Sequence, residues 1–141
     1  MADNVPLPRV FIDASILILA TRADKPAMRV LAIKELDREA VFLSSKIVEL
    51  ETLPQPVVNK FPKQVDFLRK FFAKAELIEC TSEIQEAALE EACKGEAALT
   101  AADALHVACA IAGGASELVC AELPEKPLPK AVGVPVRSLY L

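Results

Sequence analysis

Leu99-Thr100-Ala101-Ala102-Asp103-Ala104-Leu105-His106-Val107-Ala108-Cys109-Ala110-Ile111 is the stretch from which the fold is read. Thr100 is a good helix N-cap, and the alanine-rich run behind it has high helix propensity. Gly113-Gly114 supplies the stop, because glycine readily takes the left-handed conformation that ends helices. Nearly every side chain from Ala101 to Ile111 is apolar, which predicts a helix buried on much of its circumference. Asp103 is the anomaly, since a carboxylate in such a setting needs a partner. Thr100-x-x-Asp103 has the form of a capping-box variant, with the acid near the positive end of the helix dipole. A metal- or substrate-binding role is the competing reading.

Upstream, Pro8-Arg9-Val10-Phe11-Ile12-Asp13 is a short apolar run ending in an acid, the form of a buried strand. Ser15 stands ready to cap the helical stretch Ile16–Ala20, which frees Asp13 for a role at the carboxyl end of its strand. Asp24-Lys25-Pro26 opens a second helix, with Met28, Leu31, Ala32 and Leu36 inward and Lys34, Glu35 and Asp37 outward. Ala40–Leu43 reads as a second strand. Ser44-Ser45 then caps a helix from Lys46 to about Leu53, closed by Pro54 and Pro56. With Ile47 and Leu50 taken as core-facing, Glu51 lies about 40° from Ile47 around the axis and Glu49 about 200° away. Glu51 is therefore expected to face the interior and Glu49 the solvent.

Phe61–Ala73 is an amphipathic helix with Val65, Phe67, Leu68, Phe71 and Phe72 available to pack, and its aromatic pairs read as core. Glu76–Cys80 is a third strand, and Ser82-x-x-Gln85 is a capping box for a helix through Cys93 with Gly95 as its C′ residue. Glu117–Ala121 is a fourth strand ending at Glu122. A proline-rich loop leads to a final edge strand over Val134–Leu139. Strands alternating with helices predict a three-layer αβα sandwich on a short, mostly parallel sheet. Asp13 and Glu122 then end strands, while Glu51 and Asp103 sit near helix starts. These acids are expected to converge at the carboxyl edge of the sheet.

The 141 residues, 53% hydrophobic and 26% charged, fit one soluble domain spanning 1–141 and exclude a disordered chain. No apolar run reaches the roughly 20 residues a membrane span needs. The start, Met1-Ala2-Asp3-Asn4, lacks the basic region of a signal peptide, and a cytoplasmic location is expected. Cys80, Cys93, Cys109 and Cys120 form no C-x-x-C pair and read as buried free thiols rather than zinc ligands. A net charge of −4 excludes a basic nucleic-acid coating protein, though not an enzyme that offsets its carboxylates with metal ions.

Converging carboxylates need a cation, and hard oxygen donors favour Mg2+ or Mn2+. Such ions hold phosphate oxygens and activate water for attack on a phosphodiester. The order Phe11-Ile12-Asp13-Ala14-Ser15, Ser45 with Glu51, Ala102-Asp103-Ala104-Leu105-His106, then Leu118-Val119-Cys120-Ala121-Glu122 resembles the PIN-domain ribonucleases over residues 9–139. The chain is also similar in size to the PIN toxins of bacterial toxin–antitoxin pairs. The resemblance implies a metal-dependent endoribonuclease acting on single-stranded or structured RNA, with an antitoxin partner and a homodimeric assembly. It implies Asp13, Glu51 and Asp103 as catalytic metal ligands, with Glu122 as a further acid and Ser15 contacting substrate. The family usually carries Thr-x-Asp where this chain has Cys120-Ala121-Glu122. That departure sets up the alternative, a PIN-like binding or scaffolding module of weakened activity. His106, alone on an alanine-rich helix, reads as a hydrogen-bonded structural residue rather than a catalyst.

Overall fold

The computed structural model describes residues 5–22 and 24–140, so the reading of Met1–Asn4 lies outside the described residues. Strand β1 (Arg9–Ile12) buries Val10, Phe11 and Ile12 completely. Helix α1 (Ala14–Thr21) follows, and Asp13 rather than Ser15 caps it. Asp13 is extended, immediately before the first helical residue, and its carboxylate accepts the Ser15 N–H at 3.1 Å. Ser15 already lies within the first turn, where a side chain cannot act as the N-cap.

Helix α2 (Pro26–Leu36) buries Ala32 as expected, but it also buries Glu35, which the periodicity had turned outward. Arg38 at 2.5 Å and Arg137 at 2.9 Å hold that carboxylate, so paired charge rather than apolar content decides this face. Strand β2 (Val41–Ser45) leads into α3 (Lys46–Thr52), capped by the Ser45 hydroxyl. The buried residues of α3 are Val48 and Thr52, while Leu50 is 68% exposed, so the assumed register is wrong. The Glu49 side chain, expected in solvent, is only 20% exposed and meets Lys46. Helix α3 ends directly ahead of Pro54 as expected, but Pro54 also opens a short helix, α4 (Pro54–Val58), because proline fits a first helical turn.

Helix α5 (Pro62–Lys74) buries Leu68 and Phe72, and Phe71 packs between Phe42 and Phe72 with ring centroids 6.2 and 5.3 Å away. Strand β3 (Glu76–Ile78) is shorter than its sequence signal. Helix α6 (Ser82–Ala92) is capped by Thr81, whose hydroxyl accepts the Ile84 N–H, not by Ser82. Gly95 is not its left-handed stop; among the described residues Gly114, with φ of 70°, is the glycine in that conformation. Helix α7 (Ala101–Ala112) has its expected Thr100 cap, with the hydroxyl accepting the Asp103 N–H at 3.2 Å. Strand β4 (Glu117–Cys120), a short 3-10 turn at Leu128–Lys130 and strand β5 (Val136–Ser138) complete the chain.

The sheet runs β3-β2-β1-β4-β5 and every pairing is parallel. Helix α7 packs across β1, β2 and β4 with α6 against it, and α1 contacts α2, α3 and α5, giving the αβα sandwich. Cys109 and Cys120 are buried as expected, but Cys80 is partly buried and Cys93 is exposed. Burial pushes the Cys109 and Cys120 thiols up to about 12, which keeps them protonated and inert. No helix among the described residues is long and apolar enough to cross a membrane.

Candidate metal centre

The chain leaves β1 for one side of the sheet and later returns through β4 on the other, so the carboxyl ends of β1 and β4 are adjacent. That crevice is where open parallel sheets bind ligands. Asp13 enters it directly after β1 and is 4% exposed. Its orientation is fixed by Ser15, whose hydroxyl donates to Asp13 Oδ2 at 2.5 Å and accepts the Ala121 N–H at 2.8 Å. The Ser15 hydroxyl therefore ties α1 directly to the end of β4 and holds Asp13 beside that junction.

Helix α7 contributes Asp103 and His106, three residues apart and hence on one face. Asp13, Asp103 and His106 each offer one ligand atom, and these atoms lie within 4.8 Å of one another. Burial, reinforced by the charges of Asp13 and Glu122, pushes Asp103 up to about 6 despite opposing effects of His106 and Thr100. The site resists carrying all its negative charge without a cation.

Glu51 reaches this group through His106, whose Nε2 lies 2.6 Å from Glu51 Oε1 and 3.7 Å from Asp13 Oδ1. The Nδ1 atom of His106 is buried without a hydrogen-bond partner, so the hydrogen-bond pattern puts the proton of a neutral ring on Nε2, facing Glu51. Burial lowers the His106 pKa, but the Glu51 hydrogen bond and the charges of Asp13, Glu51 and Asp103 outweigh it and the net shift is upward. The Glu51 side chain is 35% exposed, so it stands at the rim rather than in the interior. Glu122 lies outside the tight group, though near enough to act on Asp103; burial and the Asp13 charge raise its own pKa while Lys126 opposes them. The Glu122 carbonyl accepts the Ser138 hydroxyl at 2.5 Å, which pins the backbone there to β5.

Two carboxylates with a rim glutamate suit a hard divalent ion such as Mg2+ or Mn2+, and His106, with its Nε2 proton on Glu51, stands beside them rather than among the ligands. The donor set therefore fits a divalent metal. His106 is hydrogen-bonded and buried as the sequence predicts, but its partner is Glu51 and it lies against Asp13 and Asp103. The available signal was the Asp103-x-x-His106 spacing, which places both side chains over one helical turn.

The PIN domain model matches residues 10–121, about four-fifths of the chain. Similar solved structures include VapBC2 from Rickettsia felis bound to a promoter DNA fragment, at TM-score 0.69 and 17% identity, covering 92% of this chain and 98% of that one. A toxin–antitoxin complex from Klebsiella pneumoniae matches at TM-score 0.66 and 21% identity, over 92% of this chain and 96% of the other. VapC20 of Mycobacterium tuberculosis, a sarcin–ricin loop cleaving toxin, matches at 0.63 and 15% identity, over 89% and 98%. No curated protein matches the chain by sequence. The structural likenesses, at these identities, concern the fold alone. With the model matching most of its length, the chain belongs to the PIN-domain family.

Proposed function

We propose that the protein is a Mg2+- or Mn2+-dependent endoribonuclease and the toxin of a toxin–antitoxin pair, acting in the cytosol. The observation that carries this reading is the approach of Asp13 and Asp103 oxygens to within 4.8 Å of each other, beside His106, at the sheet's switch point. When bound there, a divalent ion would polarise the phosphodiester and supply a hydroxide nucleophile. Asp13 and Asp103 would hold the ion, with Glu51 and Glu122 as outer acids. Ser15 keeps Asp13 in one orientation through its two hydrogen bonds. His106 restrains Glu51 at the mouth of the crevice. The toxin assignment and an antitoxin partner are supported by the VapBC and toxin–antitoxin complexes among similar structures.

The experiment is thermal unfolding with and without Mn2+, because a ligand that binds only the folded state raises Tm. Asp13→Asn keeps a good N-cap while removing the charge. The parent Tm should rise with Mn2+ and the Asp13→Asn Tm should not. An equal rise in both proteins would show that the metal binds elsewhere.

A further inference from the structure

The geometry points to a base-binding pocket beside the candidate metal centre, one that takes a single nucleobase of the RNA strand being cut. This rests on the ribonuclease reading above. A cavity of about 300 Å³ opens between α1, α3, α4 and α5, at the small end for ligand pockets. Glu51 lines it and also contacts His106, so one side chain borders both the pocket and the metal centre.

The wall chemistry selects the ligand. Gln55, Asn59 and Gln64 supply carboxamide residues to the cavity lining, which Phe61 and Arg22 also join. Two threonine hydroxyls in the wall, Thr21 and Thr52, donate to carbonyls of their own helices and keep only acceptor capacity. Among the described residues of the wall, the carboxamides are the neutral side chains that offer a donor and an acceptor together. Each carboxamide pairs a donor with an acceptor, which is also what a nucleobase edge presents. A site for phosphate alone would be lined by cations instead. Phe61 is 49% exposed, which leaves ring surface on which a base can stack.

The local backbone holds that ring in place. The Phe61 N–H bonds Pro56 O at 2.9 Å and the Lys60 N–H bonds Val57 O at 3.3 Å. Together they form the helix-ending motif whose left-handed position glycine usually fills. Here Lys60 occupies it with φ of 58°, a disfavoured conformation for a residue with a Cβ. Arg22 is paired with Asp24 at 2.7 and 2.9 Å, and its other guanidinium donors can meet the sugar-linked phosphate of the bound nucleotide.

The test titrates the four ribonucleoside 5′-monophosphates, and ribose 5-phosphate as control, into 15N-labelled protein without added metal. Side-chain amide resonances of Gln55, Asn59 and Gln64 are followed by NMR. At least one nucleotide should shift them, and ribose 5-phosphate should not. Phe61→Ala and Asn59→Ala should each weaken that nucleotide by about tenfold, as loss of a stacking or edge contact does. Asn59 is exposed, so its variant tests the pocket even if Phe61→Ala fails to fold. Equal shifts with ribose 5-phosphate would reduce the pocket to a phosphate surface and overturn the proposal. So would silence towards every nucleotide, or a response only to a partner protein. Nucleotide silence in a protein that still cleaves RNA overturns the pocket alone. Nucleotide shifts in a protein that binds Mn2+ but never cleaves would overturn the ribonuclease reading instead.

Discussion

Nε2 of His106 lies 2.6 Å from Oε1 of Glu51, so a fully buried residue of α7 sets the position of a half-exposed carboxylate on α3. The two are 55 residues apart in sequence, and this hydrogen bond joins α3 to α7. His106→Phe should retain the fold's volume and lose the donor. Partners of this kind are typically worth about 10–100-fold in metal affinity, and a loss of about tenfold is expected here. His106→Gln, which keeps an N–H donor, should recover much of it. Mn2+ titration followed by EPR measures both. Parent-like affinity in His106→Phe would mean that the contact is structural only.

Ser15→Ala removes the hydroxyl between Asp13 and the Ala121 N–H. Leaving a partly buried backbone N–H unpaired costs about 1–3 kcal/mol, and Asp13 loses its orientation as well. Chemical denaturation should show a loss near the lower end of that range, and the Mn2+-induced Tm rise should shrink in parallel. A stability loss with an unchanged Tm rise would separate Ser15 from the metal centre.

Asp103 gives the metal-free protein a specific pH dependence. Its folded pKa is raised to about 6, above the ordinary carboxylate value, so the folded state binds the proton more tightly than the unfolded chain. The charged carboxylate therefore opposes folding at neutral pH, and that penalty is relieved as pH falls through about 6 towards 4. Relative to Asp103→Asn, the parent should lose less Tm, or gain some, between pH 7 and 5. With Mn2+ present the trend should reverse, because proton and metal compete for the same oxygens. Parallel Tm curves for parent and variant would contradict the assignment.

The fold was legible because its signals are local. Thr100 and Gly113-Gly114 bracket α7, and the Val10–Ile12 run is a buried parallel strand, so both lie where the sequence puts them. Readings failed where a long-range partner overrides a local pattern. Glu35 is buried by Arg137, which is about a hundred residues away, and no periodicity in α2 encodes that pairing. In α3 the apolar residues Ile47 and Leu50 suggest a register, but a helix of only seven residues is too short for an unambiguous helical face. The same limit explains His106: its meaning depends on Glu51, which only the packing of α3 against α7 brings near.

Glu122 is where the chain departs from the family pattern, and its effect on Asp103 places its charge near the site. A side chain one methylene longer than aspartate displaces the carboxylate by about 1 Å, and misplacement on that scale costs about 10²-fold in rate. Glu122→Asp should therefore cleave faster than the parent and Glu122→Ala more slowly, with Mn2+ binding retained in both. Identical nonzero rates in all three proteins would put Glu122 outside the site.

The most direct measurement is Mn2+-dependent cleavage of a single-stranded RNA by the parent and by Asp13→Asn, followed on denaturing gels. The parent should cut the strand only with Mn2+ or Mg2+ present. Asp13→Asn, still folded because asparagine also caps α1, should be slower by at least about 10²-fold. Equal cleavage by the two proteins would show that the acidic crevice is not the active site. A parent that binds Mn2+ in this crevice yet cuts no RNA would make the chain a PIN-like binding module instead.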